Sequence, residues 1–168
     1  MEIRGTLMKK IFVLGITISF AILIACGDNV KSGNFNEEWV RAANEELAKY
    51  SISGFGYKQS NLPASNWNSW FKANEAAIKR IFSEAPEGYV LQVTGHTDAT
   101  GPEMAEDNKP GNIKLSNDRA KTVYDVLVKN KIDSSKLTQR GVGSSQLLEG
   151  VGPRDAKQRR VSFIIIQK

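Results

Sequence analysis

The 168-residue chain carries 23 Lys and Arg against 18 Asp and Glu, one His and one Cys, for a formal net charge of +5. A single cysteine excludes an internal disulfide framework, and a single histidine excludes a histidine-based metal cluster. Charges of both signs are interspersed along the chain, which predicts solvated faces and excludes the clustered basic patch that nucleic acid requires.

In chain order, Arg4, Lys9 and Lys10 precede an uncharged run from Ile11 to Ala25 that ends in small residues, the pattern of an export signal over residues 1–25. Met8 serves as well as Met1 for its start. The run has 15 residues, whereas a bilayer core takes about 20, so a permanent transmembrane helix is the weaker reading. Cleavage would remove Glu2, Arg4, Lys9 and Lys10, together +2, and leave a chain near +3 beginning at Cys26. Leu23-Ile24-Ala25-Cys26 resembles the lipobox of bacterial lipoproteins, whose cysteine thiol receives a diacylglycerol and whose freed amine is acylated as well. Two or more acyl chains hold a protein stably at a membrane, where one holds it only marginally. Residues 26–34 then read as the lipidated cysteine and a short polar tether. Eight residues, Gly27 to Asn34, coil over roughly 16 Å and stretch to about 28 Å.

Asn36 to Tyr50 places Trp39, Ala43, Leu47 and Tyr50 at helical spacing, which predicts a helix ending the 35–50 segment. Ser51 to Tyr57 reads as a short, glycine-broken strand. Ser65 or Asn66 caps a second helix whose stripe of Trp67, Trp70, Phe71, Ala77, Ile78, Ile81 and Phe82 is expected to be core, not a ligand platform. Tyr89 to Thr94 alternates as a strand does and Gly95 closes it. After a polar loop from Ala99 to Gly111, Asn112 caps a third helix with Ile113, Ala120, Val123 or Tyr124, and Leu127 on one face, and Lys129 to Lys131 at its negative end. Leu137–Val142 and Val161–Gln167 complete the set as strands. The last is apolar on both faces, which predicts a central or well covered position. The order helix, strand, helix, strand, helix, strand, strand predicts an α/β (α+β) two-layer sandwich, with helices on one face of a mixed four-stranded sheet.

Gly95-His96-Thr97-Asp98 at a strand end and Leu115-Ser116-Asn117-Asp118-Arg119-Ala120 on the next helix are the strongest signal in the chain. The succession T-G-H-T-D, L-S-x-x-R-A-x-x-V, G-x-G and R-R-V before a final strand resembles the OmpA-like peptidoglycan-binding domain. The resemblance is close over Tyr89 to Gln167, looser over Ser51 to Phe82, and assigns the domain to 51–168. It implies that Asp98 accepts hydrogen bonds from the ammonium of a diaminopimelate residue in a peptidoglycan stem peptide, and that Arg119 grips the neighbouring carboxylate with its planar fork. A zwitterion asks for one acid and one base. On the same resemblance Thr97 fixes Asp98 through its side chain, Ala99 offers a backbone N–H, Leu115 forms an apolar wall and His96 orients the loop. Arg119 is expected in an early turn of its helix, with the helix N-terminus from Asn112 to Ser116 adding attraction for a carboxylate.

Three departures from the family pattern stand out. Gln158-Arg159-Arg160 replaces the usual Asn-Arg-Arg, leaving Arg159 and Arg160 either at the pocket rim or merely solubilising. Gly54-Phe55-Gly56-Tyr57-Lys58 replaces a Phe-Asp start. Gly101-Pro102-Glu103-Met104-Ala105-Glu106 lengthens the loop before the third helix. The long loop, the Phe55–Lys58 stretch and the Trp-rich helix are similar to the OmpA-like surface lipoproteins of leptospires. The implied function is an outer-membrane lipoprotein that tethers its membrane to the cell wall, its partners being peptidoglycan and, through the lipid on Cys26, the membrane. The alternative is a surface-exposed adhesin that binds host proteins. No Ser-His-acid or Cys-His set is visible, so no catalysis and no cofactor are expected.

Overall fold

Helix α1 opens the described part of the chain at Ser32 because Trp39, Val40, Ala43 and Leu47 put one apolar stripe toward the sheet. The computed structural model describes residues 32–107 and 109–168, and from residue 35 the side chains as well, except that of Asn108. The expectations for residues 1–31, including the export signal and the lipidated Cys26, lie outside the described residues. Helix α1 runs Ser32–Leu47 and therefore starts inside the stretch read as tether, and a 3-10 turn, Ala48–Tyr50, carries it into the sheet.

Among the described residues the sheet has four strands, β1 (Ile52–Ser53), β2 (Tyr89–Gly95), β3 (Leu137–Gly141) and β4 (Arg160–Gln167), in the order β1-β4-β2-β3. Strands β2 and β3 are parallel, with Leu91 opposite Leu137 and Gly95 opposite Gly141, and β4 runs antiparallel to both β1 and β2. Helices α2 (Ala64–Glu84) and α3 (Gly111–Lys129) supply the crossovers. The chain thus forms the two-layer α+β fold with an open mixed sheet that its pattern predicts, and β4 is central. The expected strand over Ser51–Tyr57 shrinks to two residues, because Gly54 takes a φ of +98° and turns the chain out of the sheet. The caps also differ: α2 begins one residue before Ser65, after Pro63, and α3 begins one residue before Asn112, after Pro110.

Leu91 and Val93 of β2 and Val161, Phe163 and Ile165 of β4 face the helices, and all five are buried with Leu47, Ile78, Ile81, Ala120, Val123 and Leu127. Burying each of the Val, Leu, Ile and Phe side chains among them stabilises the fold by about 1.5–3 kcal/mol. The aromatic stripe of α2 belongs to this core: Trp70 stacks on Phe163 with ring centroids 5.4 Å apart and donates its indole N–H to the Tyr50 carbonyl at 3.0 Å. Because β1 is so short, most of one side of β4 has no strand beside it among the described residues. Asn44 of α1 fills part of that gap, its Nδ2 donating to the Ile165 carbonyl at 3.2 Å and its Oδ1 accepting the Ile165 N–H at 2.6 Å. No helix among the described residues is long and apolar enough to cross a membrane.

Candidate ligand-binding site

Two glycines let α3 lie directly on the ends of β2 and β3. A Cβ on Gly95 would collide with the Ser116 carbonyl, and one on Gly141 with the Asn117 amide. Ser116 is fully buried at this crossing and donates to the Ile113 carbonyl while accepting the Gly143 N–H at 2.9 Å. One turn on, the same helix face carries Arg119, so the close approach sets Arg119 beneath the segment that leaves β2. That segment, His96 to Ala99, is fixed by its own backbone: the amides of His96, Thr97 and Ala99 donate to the carbonyls of Arg160, Gly143 and Pro153 at 2.8–2.9 Å.

The result is a cavity of about 250 Å³. Its walls include Leu115, Pro102 and Tyr57, and its polar lining includes Thr97, Asp98, Arg119 and Arg159 with Lys58 and Lys109. Asp98 is 4% exposed; its Oδ1 accepts the Thr100 N–H at 3.0 Å and its Oδ2 accepts Arg159 Nη1 at 2.8 Å. Burial works to raise its pKa, but the hydrogen bonds from Arg159 and Thr100 outweigh that and hold the carboxyl below its ordinary range. Arg159 also donates Nε to the Phe55 carbonyl at 2.8 Å.

Arg119 has no measurable exposure and forms the pocket floor. Nε donates to the Gln59 carbonyl at 2.9 Å, Nη1 to His96 at 2.8 Å and Nη2 to Gly56 at 3.2 Å, and the guanidinium lies 5.3 Å from the Phe55 ring centroid. A guanidinium has five N–H donors, and these carbonyls take three of them. Burial lowers its pKa to about 10, with Arg159 pushing the same way and Asp98 opposing, so it stays charged at neutral pH. Three buried or half-buried ions thus meet here, two cations and one anion. His96 is a neutral neighbour: burial, reinforced by Arg160, takes its pKa down to about 3, and Nε2 lies 2.8 Å from the Ser162 hydroxyl.

The pocket brings together four of the residues singled out in the sequence, Thr97, Asp98, Leu115 and Arg119, but not Ala99, whose N–H is taken by Pro153. Thr97 does not hold Asp98; its hydroxyl is buried without a partner, and the backbone of Thr100 does the holding. Arg119 sits in the middle of α3, not in an early turn. The amides expected to attract a carboxylate are also engaged, with Asn112 and Ile113 donating to the Pro102 and Glu103 carbonyls of the lengthened loop. Arg159 and Arg160 part company. Arg159 enters the pocket, whereas Arg160 turns to the Gln158 and Gln146 carbonyls on the far side. Gln158 is fully buried and ties down the loop before it through Leu148 and Val151. Sequence reasoning missed Thr100 as a partner of Asp98 and left Arg159 undecided. It also could not see that the Phe55–Gln59 carbonyls would hold both arginines, because a carbonyl has no residue signature.

Among the described residues no group of His, Cys, Asp and Glu is placed to hold a metal ion. Fold and pocket together define a small two-layer α+β domain with a buried acid–guanidinium site at the ends of its strands. The sequence profile of the OmpA family matches residues 55–160, and the chain belongs to that family. It is 31% identical over 96 residues to outer membrane protein A of Serratia marcescens, a match over 57% of this chain that spans only about a quarter, 24%, of that relative. Among solved structures it is similar to the C-terminal domain of Helicobacter pylori MotB, at 18% identity and a TM-score of 0.52 over 70% of this chain and 85% of that one. The cell wall anchor of the T6SS from Pseudomonas aeruginosa aligns at 24% identity and a TM-score of 0.50 over 70% and 80% of the two chains. At these identities both structural likenesses concern the fold alone.

Proposed function

We propose that this domain binds peptidoglycan non-covalently, without catalysis, by taking the zwitterionic end of a diaminopimelate residue into the Asp98–Arg159–Arg119 pocket. The observation that carries the reading is the Asp98–Arg159 contact at 2.8 Å over the Arg119 floor. An acid and a base side by side are complementary, in reverse, to an ammonium and a carboxylate side by side. Asp98 still has lone pairs for an ammonium, while Arg159 and Arg119 offer unused N–H donors to a carboxylate. The unpartnered Thr97 hydroxyl is a further hydrogen-bonding group at the same spot. Membership of the OmpA family and the fold shared with a cell wall anchor support the same ligand class. In this reading a lipid on Cys26 holds the chain at the outer membrane, and the domain ties that membrane to the wall.

The core is drawn from residues 43–165, so a fragment from Gly27 to Lys168 carries the whole fold. That fragment is expected to pellet with purified sacculi and to be released by free diaminopimelate. Asp98→Asn keeps the side-chain shape and removes the charge; with circular dichroism unchanged, it should weaken pelleting by roughly 30-fold or more, since breaking one partner of a buried charged contact costs about 2–5 kcal/mol. Pelleting that survives both the substitution and the free amino acid would sink the proposal.

A further inference from the structure

Charge around the pocket does not balance for a zwitterion. Among the described residues its lining contains four cations, Lys58, Lys109, Arg119 and Arg159, and one acid, Asp98, which is already in contact with Arg159. A ligand end carrying one ammonium and one carboxylate leaves the excess untouched. Lys58 and Lys109 are both exposed and come from separate loops, Lys58 from a turn in which it adopts a φ of +55° and Lys109 from the lengthened loop before α3. No ion pair among the described residues involves either of them. The acids of the lengthened loop do not line the pocket: Glu103 accepts from Asn112 Nδ2 and from Ser144, and Glu106 meets Lys109 only through paired backbone hydrogen bonds. The Lys58 ammonium lies 5.3 Å from the Tyr57 ring centroid, at the mouth of the cavity.

We infer that Lys58 and Lys109 form a second, anion-reading part of the site, which takes the free carboxylate of the residue preceding diaminopimelate and so disfavours stem peptides in which that carboxylate is amidated. The inference rests on the peptidoglycan reading above. In the stem, the D-glutamyl residue is joined to diaminopimelate through its side-chain carboxyl, so its main-chain carboxylate is left free one residue from the zwitterionic end. With the zwitterion on the floor, that carboxylate meets the mouth of the cavity, where the unbalanced positive charge lies. An amide in its place presents no charge to the two lysines.

The test is calorimetric titration of the Gly27–Lys168 fragment with two synthetic peptides, L-alanyl-γ-D-glutamyl-meso-diaminopimelate and the same peptide with D-isoglutamine. The wild type is expected to bind the acid form about fivefold more tightly, the size of one solvent-screened ion pair. That preference should vanish in about 1 M salt, where the Debye length is ~3 Å. Lys58→Met with Lys109→Met keeps the apolar stems and removes the charges; it should bind both peptides equally, while Lys58→Arg with Lys109→Arg keeps the preference. Equal wild-type affinities for the two peptides, or a preference that persists in the double Met variant, overturn this inference alone. Binding of neither peptide overturns the peptidoglycan reading and this inference with it.

Discussion

Arg119 carries two roles that a sequence motif cannot separate. Its guanidinium is clamped by the carbonyls of Gly56, Gln59 and His96, which come from two distant stretches of chain, so it joins the segment after β1 to the segment after β2. Under the proposed function, replacing it would remove a ligand contact and unlatch the pocket wall together. Arg119→Met is therefore expected to lower unfolding free energy by roughly 2–4 kcal/mol, because carbonyls are left without their donor. Arg119→Lys should recover little of this, since an ammonium cannot span three carbonyls with a fixed fork. Denaturant melts of both variants check this; a stability within 0.5 kcal/mol or so of wild type would show the latch to be idle. Asp98→Asn is for this reason the cleaner probe of binding.

The elements themselves were written plainly in the sequence. The alternation of Tyr89–Thr94, the two-sided apolar character of the last strand and the spacing of Trp70, Ile78 and Ile81 each report a periodic demand of burial, and periodicity survives in one dimension. Asp98, Arg119 and Leu115 could be placed in one site because the motif around them is a resemblance, not because their separation in sequence implies contact. What stayed hidden is non-periodic. Whether Arg159 or Arg160 faces the pocket depends on the strand register at β4, where Arg160 already belongs to the ladder opposite Ser53. The first α3 amides are engaged because the lengthened loop supplies their acceptors, which no residue pattern announces. The tightest demand at this scale is the crossing of α3 over β2 and β3. Gly95→Ala drives a methyl group into the Ser116 backbone, which cannot yield without shifting the helix. A loss of about 1–3 kcal/mol in thermal or chemical unfolding is expected, together with weaker sacculus binding, because the helix that shifts is the one that carries Arg119. Unchanged stability would mean that α3 rides higher on the sheet than described.

For the whole molecule, the single histidine sets an acid response. Unfolded, its ring takes a proton below about pH 6.5; folded, it stays neutral down to about 3. Between those values the unfolded chain binds the extra proton, so stability rises with pH across this window and falls as the medium is acidified through it. At pH 5 the loss is expected to be about 2 kcal/mol relative to pH 7.5. Asp98 contributes with its own sign: its lowered folded pKa gives stability that is present above the ordinary carboxylate value and lost only below it, so it leaves the range from pH 5 to 6.5 to His96. Denaturant melts at pH 7.5 and 5.0 should differ for the wild type and converge in His96→Asn.

Asn44 has a bearing on how the molecule behaves in company. An unclosed strand margin invites a neighbour's backbone to continue the sheet. By offering one amide group that imitates a strand's donor and acceptor, α1 occupies part of the margin of β4 from within the same chain. At the opposite margin β3 is only five residues long and exposes Gln139 and Arg140. Among the described residues the sheet thus offers a neighbouring copy only short or partly occupied margins to extend.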